Sequence, residues 1–400
     1  MRMTLKRTSQ LALATAVSLL ASGLLTACGT LTADFVYVTS ARAAGTNSYG
    51  EVDVYEVNSE SGRMRTIPTS PFPSGGRNPV AEATSADNTT LYVVNQDDNS
   101  IVQFTIGSDG KIYPQNTVNT PGVFPLAVTT AGTSLFVADT YQPLPTCSTA
   151  APCSGSVAVF PIGTGDALGS PAVNTSISAS YWPLTLPANP SHVITPTAIT
   201  TGASGDYLYV AAFDATAGGG YVFSFAVNSD GTLSAANGGV PFAAGTHPSS
   251  IASGSGGKVV YVTDSSTNTV LAYTSTDGVI APVAGSPFPT GNSPSAVIVD
   301  VTGNHVFVAS SVDSNLTVYS SAGGVLTSLG SYATGTQPVA IGIDPSLNEY
   351  VYTANFLGNS VSGFQVNAST GALLNSQHSP YGANANPTAV AAIPHNKPKS

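Results

Sequence analysis

The chain has 400 residues, of which 8% are charged, and its formal net charge is −10. Charged residues supply about a quarter of an average soluble protein, so uncharged polar residues and glycine carry most of the polarity here. An acidic chain this poor in lysine and arginine argues against nucleic acid or an anionic surface as a partner.

The N-terminus has the features of an export signal. Three basic residues in the first seven positions precede an apolar run from Leu11 to Leu25, and Leu-Thr-Ala leads directly into Cys28. That pattern is typical of a secretory signal, and the cysteine position resembles the lipobox of bacterial lipoproteins. We therefore expect a signal peptide over 1–27, a lipidated tether over 28–33 and attachment to the cell envelope through the lipid alone. An ordinary cleavable signal with a chance cysteine is the alternative.

An apolar–aromatic–valine triplet occurs seven times after the signal, with threonine replacing valine in the last copy. The aromatic residues are Tyr37, Tyr92, Phe136, Tyr209, Tyr261, Phe307 and Tyr352. Most of the spacings between them fall near the ~40–50 residues that one four-stranded propeller blade needs. The chain therefore contains seven internal repeats.

Two further landmarks flank each aromatic triplet. A proline followed by small and apolar residues precedes it, as suits the first residue of a strand; these are Pro79, Pro125, Pro196, Pro248, Pro294, Pro338 and Pro387. An alternating segment follows, and it commonly ends in a tight turn such as Ser108-Asp109-Gly110, which is a hairpin signal. Each repeat therefore predicts four antiparallel strands, which we call A to D in chain order.

The order of the landmarks predicts how the fold closes. The first aromatic strand has no proline strand before it, and the last proline strand, 388–393, has no aromatic strand after it. We therefore expect an all-β, seven-bladed β-propeller over 34–394, with 395–400 as a tail and the C-terminal strand serving as strand A of the N-terminal blade. An elongated solenoid is the alternative, but it would need capping repeats.

Two cysteines, Cys147 and Cys153, remain in a loop rich in proline, serine and threonine. In an exported chain this pair predicts a disulfide; a metal pair or a redox site is the alternative. We predict no metal and no cofactor. The run Asp97-Asp98-Asn99 offers oxygens suited to Ca²⁺, but a polar turn is the favoured interpretation.

In a propeller, the B–C and D–A connections share one face, which we call the upper face. The enlarged connections all fall there: residues 39–50, the Cys147–Cys153 loop, 169–195 with Tyr181, Trp182 and His192, and 211–220. We therefore expect binding on the upper face. The predicted ligand contacts are Trp182 and the residues that precede the seven prolines, namely Asn78, Phe124, Thr195, His247, Ser293, Gln337 and Asn386; these seven could instead merely cap strand A.

Several phrases resemble a known family. The run from Ser286 to Gly291, Ser-Pro-Phe-Pro-Thr-Gly, and the Tyr-Val-x-Asn/Asp units are similar to the YVTN-type repeats of bacterial surface propellers. They also resemble the seven-bladed lactonase family, which includes 6-phosphogluconolactonase and the carboxymuconate cyclases. That resemblance implies lactonase or cycloisomerase activity. It also implies a Pro-Arg-His at one strand A and an Asn-Glu after one strand B, and no repeat here has either.

The candidate catalytic residues follow from what lactone hydrolysis needs. His247 is the candidate general base, with Asp264 in the same repeat. Arg77 is a basic residue on the upper face that could meet a charged substrate.

The sequence leaves three functions open. We expect first a monomeric envelope scaffold that binds a protein, a glycan or a small molecule through the upper face. The alternatives are a lactone hydrolase and a structural surface component that self-associates.

Overall fold

The computed structural model describes residues 32–41, 49–202, 204–254, 257–344 and 349–395. The predicted signal, Cys28 and the last five residues lie outside that range. The described chain contains 32 β-strands and two single 3₁₀ turns, Thr164–Asp166 and Asn237–Gly239. No helix among the described residues is long and apolar enough to cross a bilayer.

The strands form seven antiparallel sheets, one for each repeat, and we number the blades by their aromatic strand. Blade 1 holds β1 (Thr32–Ser40), β2 (Glu51–Asn58), β3 (Met64–Thr66) and β4 (Phe72–Pro73). Blade 2 holds β5 (Pro79–Thr84), β6 (Thr90–Asn95), β7 (Ser100–Ile106) and β8 (Ile112–Asn119). Blade 3 holds β9 (Val123–Ala131), β10 (Ser134–Tyr141), β11 (Ser156–Pro161) and β12 (Trp182–Pro183).

The remaining four blades continue in chain order. Blade 4 holds β13 (Ile194–Thr201), β14 (Tyr207–Asp214), β15 (Gly220–Val227), β16 (Leu233–Ala235) and β17 (Phe242–Ala243). Blade 5 holds β18 (Pro248–Ser253), β19 (Val259–Asp264), β20 (Thr269–Thr276), β21 (Val279–Pro282) and β22 (Phe288–Pro289). Blade 6 holds β23 (Pro294–Val299), β24 (His305–Ser310), β25 (Asn315–Ala322) and β26 (Val325–Ala333). Blade 7 holds β27 (Pro338–Ile343), β28 (Tyr350–Asn355), β29 (Ser360–Val366), β30 (Leu373–Asn375) and β31 (Tyr381–Gly382).

The last strand, β32 (Pro387–Pro394), closes the ring. It pairs antiparallel with β1, from Asp34 opposite Pro394 to Ser40 opposite Pro387. The A strands contact one another in the cyclic order β32, β5, β9, β13, β18, β23, β27 and back to β32. The predicted propeller and its closure by the C-terminal strand are therefore confirmed.

The aromatic residue of strand B fills the space between neighbouring blades. Tyr37, Tyr92, Tyr209 and Tyr261 are each at most 1% exposed. Their hydroxyls reach the lower end of the next blade: Tyr37 donates to the Gly110 carbonyl at 3.0 Å and Tyr92 to the Asp166 carbonyl at 2.8 Å. Each ring buries a large apolar surface and its one polar atom is satisfied, so the repeated triplet holds blade to blade.

The Ser-Pro phrase marks a break in strand D. The hydroxyls of Ser70, Ser286 and Ser379 accept hydrogen bonds from strand-C amides at 2.9, 3.0 and 3.0 Å. Beyond the break, the short strands β4, β22 and β31 resume pairing with strand C. The serine side chain thus replaces one rung of the ladder, and the outermost strand of blades 1, 5 and 7 consists of two pieces.

Candidate functional site

The upper face carries the predicted disulfide. Cys147 and Cys153 are bonded, with their sulfurs 2.05 Å apart, in the B–C connection of blade 3. This prediction is confirmed. The B–C connection of blade 1 is described only in part, and the basic residue in its enlarged segment, Arg42, lies outside the described residues.

The seven residues before the prolines lie half-buried on the upper face, and each following proline is buried. Five of them have a positive φ: Asn78, Phe124, Ser293, Gln337 and Asn386. Four receive a side-chain cap from the B–C turn of the preceding blade, where Asn99, Asn268, Ser314 and Asn359 accept their backbone N–H groups. These residues therefore join blade to blade; their contact with a ligand stays a prediction.

His247 and Asp264 are not hydrogen-bonded to each other. The His247 ring stacks on Phe213, with centroids 4.2 Å apart, and its Nδ1 lies 3.3 Å from the Ser265 hydroxyl. Asp264 is fully buried, and its carboxylate accepts the backbone N–H groups of Thr246, Ser266 and Thr267. Asp264 holds the turns beside strands A and B, so no carboxylate among the described residues orients His247.

Arg77 is bonded to the neighbouring turn. Its Nε donates to Asp98 Oδ1 at 2.7 Å, its Nη2 lies 2.6 Å from the same oxygen, and Nη2 also reaches the Asp97 carbonyl. Partial burial acts to raise the pKa of Asp98, but the hydrogen bonds and charge of Arg77 lower it overall. Asp97 accepts from Asn78 and Asn99 caps Phe124, so the run 97–99 serves as a turn. The described residues contain no cluster of three or more His, Cys, Asp or Glu suited to a metal.

Trp182 lies in the core between blades 3 and 4. It is 5% exposed, and its Nε1 donates to the Leu233 carbonyl at 2.8 Å. The indole packs in one cluster with Phe136, Leu184 and Ile194. The indole joins two blades. Because it is buried in this core, it is not accessible to a ligand, and the prediction that Trp182 contacts a ligand is wrong.

Strand B extends further toward the upper face in blades 3 and 4 than in the other five blades. Strand B ends five residues past its aromatic residue in β10 and β14 but three residues past it elsewhere. The extra residues pair with the lead-in to strand A, with Tyr141 opposite Val123 and Ile194 opposite Asp214. We call this extension the raised rim; it comprises Phe124, Tyr141, His192, Thr195, Phe213 and Asp214, with His247 packed against it from blade 5.

The raised rim holds a histidine–aspartate pair. His192 Nδ1 lies 2.6 Å from Asp214 Oδ2. The other oxygen of Asp214 accepts the backbone N–H groups of Thr216 at 2.8 Å and Ala217 at 3.0 Å. Asp214 is 3% exposed, whereas the His192 side chain is 22% exposed.

These contacts determine the charge of Asp214 and the tautomer of the neutral His192 ring. Burial acts to raise the pKa of Asp214, but the bonds from His192 and the two amides lower it overall, so the group is a carboxylate. A carboxylate on Nδ1 keeps the proton of a neutral imidazole on that nitrogen, which leaves the lone pair on Nε2. The described residues offer no hydrogen-bond partner for Nε2. The pair can therefore accept a proton at an atom that is free to meet a substrate.

Residues 35–391 match the family model for the seven-bladed β-propeller lactonases. The chain belongs to this lactonase family. It has no significant match among curated proteins.

Several solved structures share the fold of this lactonase-family propeller. A protein of Bacteroides fragilis assigned as a 6-phosphogluconolactonase superposes with a TM-score of 0.70 at 19% identity, covering 91% of this chain and 99% of its own. The corresponding protein of Bacteroides uniformis gives 0.72 at 17% identity, covering 91% and 100%. A periplasmic gluconolactonase of Pseudomonas aeruginosa gives 0.70 at 17% identity, covering 90% and 99%. At these identities the likeness shows the fold and not the substrate.

A second histidine–aspartate pair in this lactonase-family chain lies on the opposite face. His305 Nδ1 is 3.0 Å from Asp300 Oδ2 in the A–B turn of blade 6. His305 is only 7% exposed, and its ring packs so closely on Gly371 that a Cβ there would lie 2.7 Å from it. This pair is built into the turn, so His192 and Asp214 form the one such pair that the described residues place on the upper face.

Sequence reasoning missed the pairing of His192 with Asp214. It named His192 as part of an enlarged connection but assigned it no role. The available signal was the run Ala211-Ala212-Phe213-Asp214, in which the polar residue that ends strand B comes two positions later than in most repeats.

Proposed function

We propose that the protein is a lactone hydrolase whose reactive site is the raised rim. The observation that carries the proposal is the 2.6 Å contact between His192 and a buried, ionised Asp214, in a chain of the lactonase family. The similarity to proteins described as a 6-phosphogluconolactonase and a gluconolactonase supports the same reaction class.

The geometry supports a general-base mechanism. Nε2 of His192 removes a proton from a water molecule as the water oxygen attacks the lactone carbonyl carbon. The ring C–O bond then breaks, and the imidazolium returns its proton to the departing alkoxide, which yields the hydroxy acid. Asp214 stabilises the imidazolium that forms and holds its orientation.

The test uses residues 29–400, which contain every described strand, and a panel of γ- and δ-lactones. His192→Gln should lower kcat/KM by at least about 100-fold, since a positioned general base contributes about 10²–10⁴. Asp214→Asn should lower kcat and change the pH profile, because Asp214 acts through His192. His247→Gln is the matched control, because His247 lies at the same rim without a carboxylate. Full activity in His192→Gln would contradict the proposal.

A binding role is the second candidate, favoured by the exposed, disulfide-closed loop of blade 3. Leu144 precedes the disulfide in the same B–C connection and is 42% exposed, so it offers an apolar contact beside the loop. The binding role would be favoured if the protein hydrolyses no lactone of the panel and if a glycan or protein ligand protects this loop from hydrogen exchange. Turnover that depends on His192 would exclude a binding role alone.

We also propose export and lipid attachment at Cys28. The support is the apolar run that ends in Leu-Thr-Ala before the cysteine. Radiolabelled palmitate should enter the full-length chain in a bacterial host and should be lost in Cys28→Ser. Equal labelling of the two chains would contradict it.

A further inference from the structure

The described cations are distributed almost wholly away from the raised rim. Arg63, Arg65 and Lys111 lie in or beside C–D turns, and Lys258 lies in an A–B turn, so all four are on the lower face. Arg77 is the one described lysine or arginine on the upper face. A phosphate ester carries nearly two negative charges, and proteins recognise it with arginine or lysine.

Arg77 is not available for that task. It makes two contacts with Asp98 and one with the Asp97 carbonyl, and its own backbone N–H donates to Asp98 Oδ2 at 2.7 Å. Turning the guanidinium toward a phosphate would break these contacts. It would also leave the Asp98 carboxylate beside a second anion.

Acidic groups dominate the rest of the upper face. Asp97 and Asp98 lie in the B–C turn of blade 2, Asp313 lies in that of blade 6, and Asp214 ends β14. Hydrogen bonds from Asn292 lower the pKa of Asp313, and Asp214 is ionised as described above. The field over this part of the upper face is therefore negative and opposes the approach of an anionic substrate.

Aromatic groups supply the contact surface instead. Phe213 stacks on His247, and Phe124 meets Tyr141 edge to face with centroids 6.1 Å apart. Phe124 keeps a φ of +56°, which a bulky residue rarely adopts. Its amide is held there by Asn99 Oδ1 at 2.7 Å. The C–H faces of an uncharged ring pack well on such a surface.

We infer that the raised rim accepts uncharged lactones and rejects lactones that carry a phosphate. This inference rests on the proposed function and adds the substrate class to it. The aromatic groups contact the lactone ring, His192 activates the water, and the acidic upper face, whose one described arginine is already paired with Asp98, excludes the phosphorylated analogue.

The experiment compares two substrates that differ by one phosphate, glucono-δ-lactone and its 6-phosphate, with residues 29–400 at low ionic strength. We expect kcat/KM for the uncharged lactone to exceed that for the phosphorylated one by at least about 100-fold, with the gap narrowing as salt is added. Asp98→Asn removes the carboxylate that pairs with Arg77. It should raise kcat/KM for the phosphorylated lactone about five-fold, which is the fold-change that one exposed ion pair between Arg77 and the phosphate would give. The uncharged substrate should be unaffected.

Arg77→Gln and Arg42→Gln are the controls. Both should leave turnover of the uncharged lactone unchanged. If the phosphorylated lactone reacts as fast as the uncharged one and His192→Gln abolishes both, the inference is overturned while the proposed function stands. If neither lactone reacts and no member of the wider panel does, the proposed function fails and the inference fails with it.

Discussion

Replacing Glu82 with glutamine should stabilise the propeller at alkaline pH and change it little near pH 4. Glu82 lies on β5, three residues after its proline, where the other six A strands carry Val128, Ile199, Ile251, Val297, Ile341 and Val390. Its Oε2 accepts the Thr39 hydroxyl at 2.5 Å, and its Oε1 is buried with no hydrogen-bond partner among the described residues. One carboxyl group thus occupies an otherwise apolar position at the junction of blades 1 and 2.

The size of the change in the free energy of unfolding follows from the proton that Glu82 binds in the folded state. Burial raises the pKa of Glu82 from 4.5 to about 8, although the hydrogen bond from the Thr39 hydroxyl partly opposes the shift. The folded state binds a proton between these values and the unfolded state does not, so stability is full below pH 4.5 and is lost as pH rises to 8. The slope is ~1.4 kcal/mol per pH unit, which makes the loss about 3 kcal/mol at pH 7. Glutamine does not titrate in this pH range, so the Glu82→Gln protein does not lose this stability as the pH rises.

The assay is urea unfolding of the wild type and Glu82→Gln at pH 5 and pH 8, with the m-value checked for constancy. The stabilisation by glutamine should be several-fold larger at pH 8. Glu60→Gln, at an exposed turn, is the matched control and should show no such difference. A stabilisation that is equal at the two pH values, or a loss of stability at pH 8, would refute the reasoning that Glu82 is held protonated.

Two further predictions concern the architecture. A chain that ends at Pro380 lacks β32 and leaves the edge of β1 unpaired, so its melting temperature, followed by circular dichroism, should fall far below that of the full chain; equal melting would contradict ring closure. Ser286→Ala removes the acceptor of the Ala272 amide at the break in strand D, which should cost about 1–3 kcal/mol in urea unfolding. Ser108→Ala in an exposed turn is its control and should change stability by less than about 0.5 kcal/mol.

The repeat landmarks were sufficient for the fold because each has a local physical cause. A proline can begin strand A without losing a ladder bond, and a buried tyrosine such as Tyr37 needs a partner in the next blade, so both recur once per blade. The closure followed from their order alone. The two-piece outer strand was not predicted. The sequence Ser-Pro-Phe does not indicate that the serine hydroxyl will accept a strand-C amide in place of a backbone carbonyl.

The site was far less predictable, because it depends on which side chains face each other across strands. His192 and Asp214 meet only because β14 extends beyond the usual end of strand B. Asp264 looked like a partner for His247 by proximity, but three backbone amides occupy its carboxylate. Trp182 looked like a ligand contact because its connection is enlarged, yet its ring fills the space between two blades and its N–H is taken by Leu233.

The polarity of the closing strand pair decides which way the molecule points. β1 begins and β32 ends at the lower face, where the His395 amide donates to the Ala33 carbonyl. Thr32 lies four positions after Cys28, and an extended chain of four residue steps spans at most about 14 Å. An acyl anchor at Cys28 would therefore hold the lower face against the bilayer and turn the raised rim outward. A small solute could then reach His192 from the surrounding fluid without passing beneath the ring.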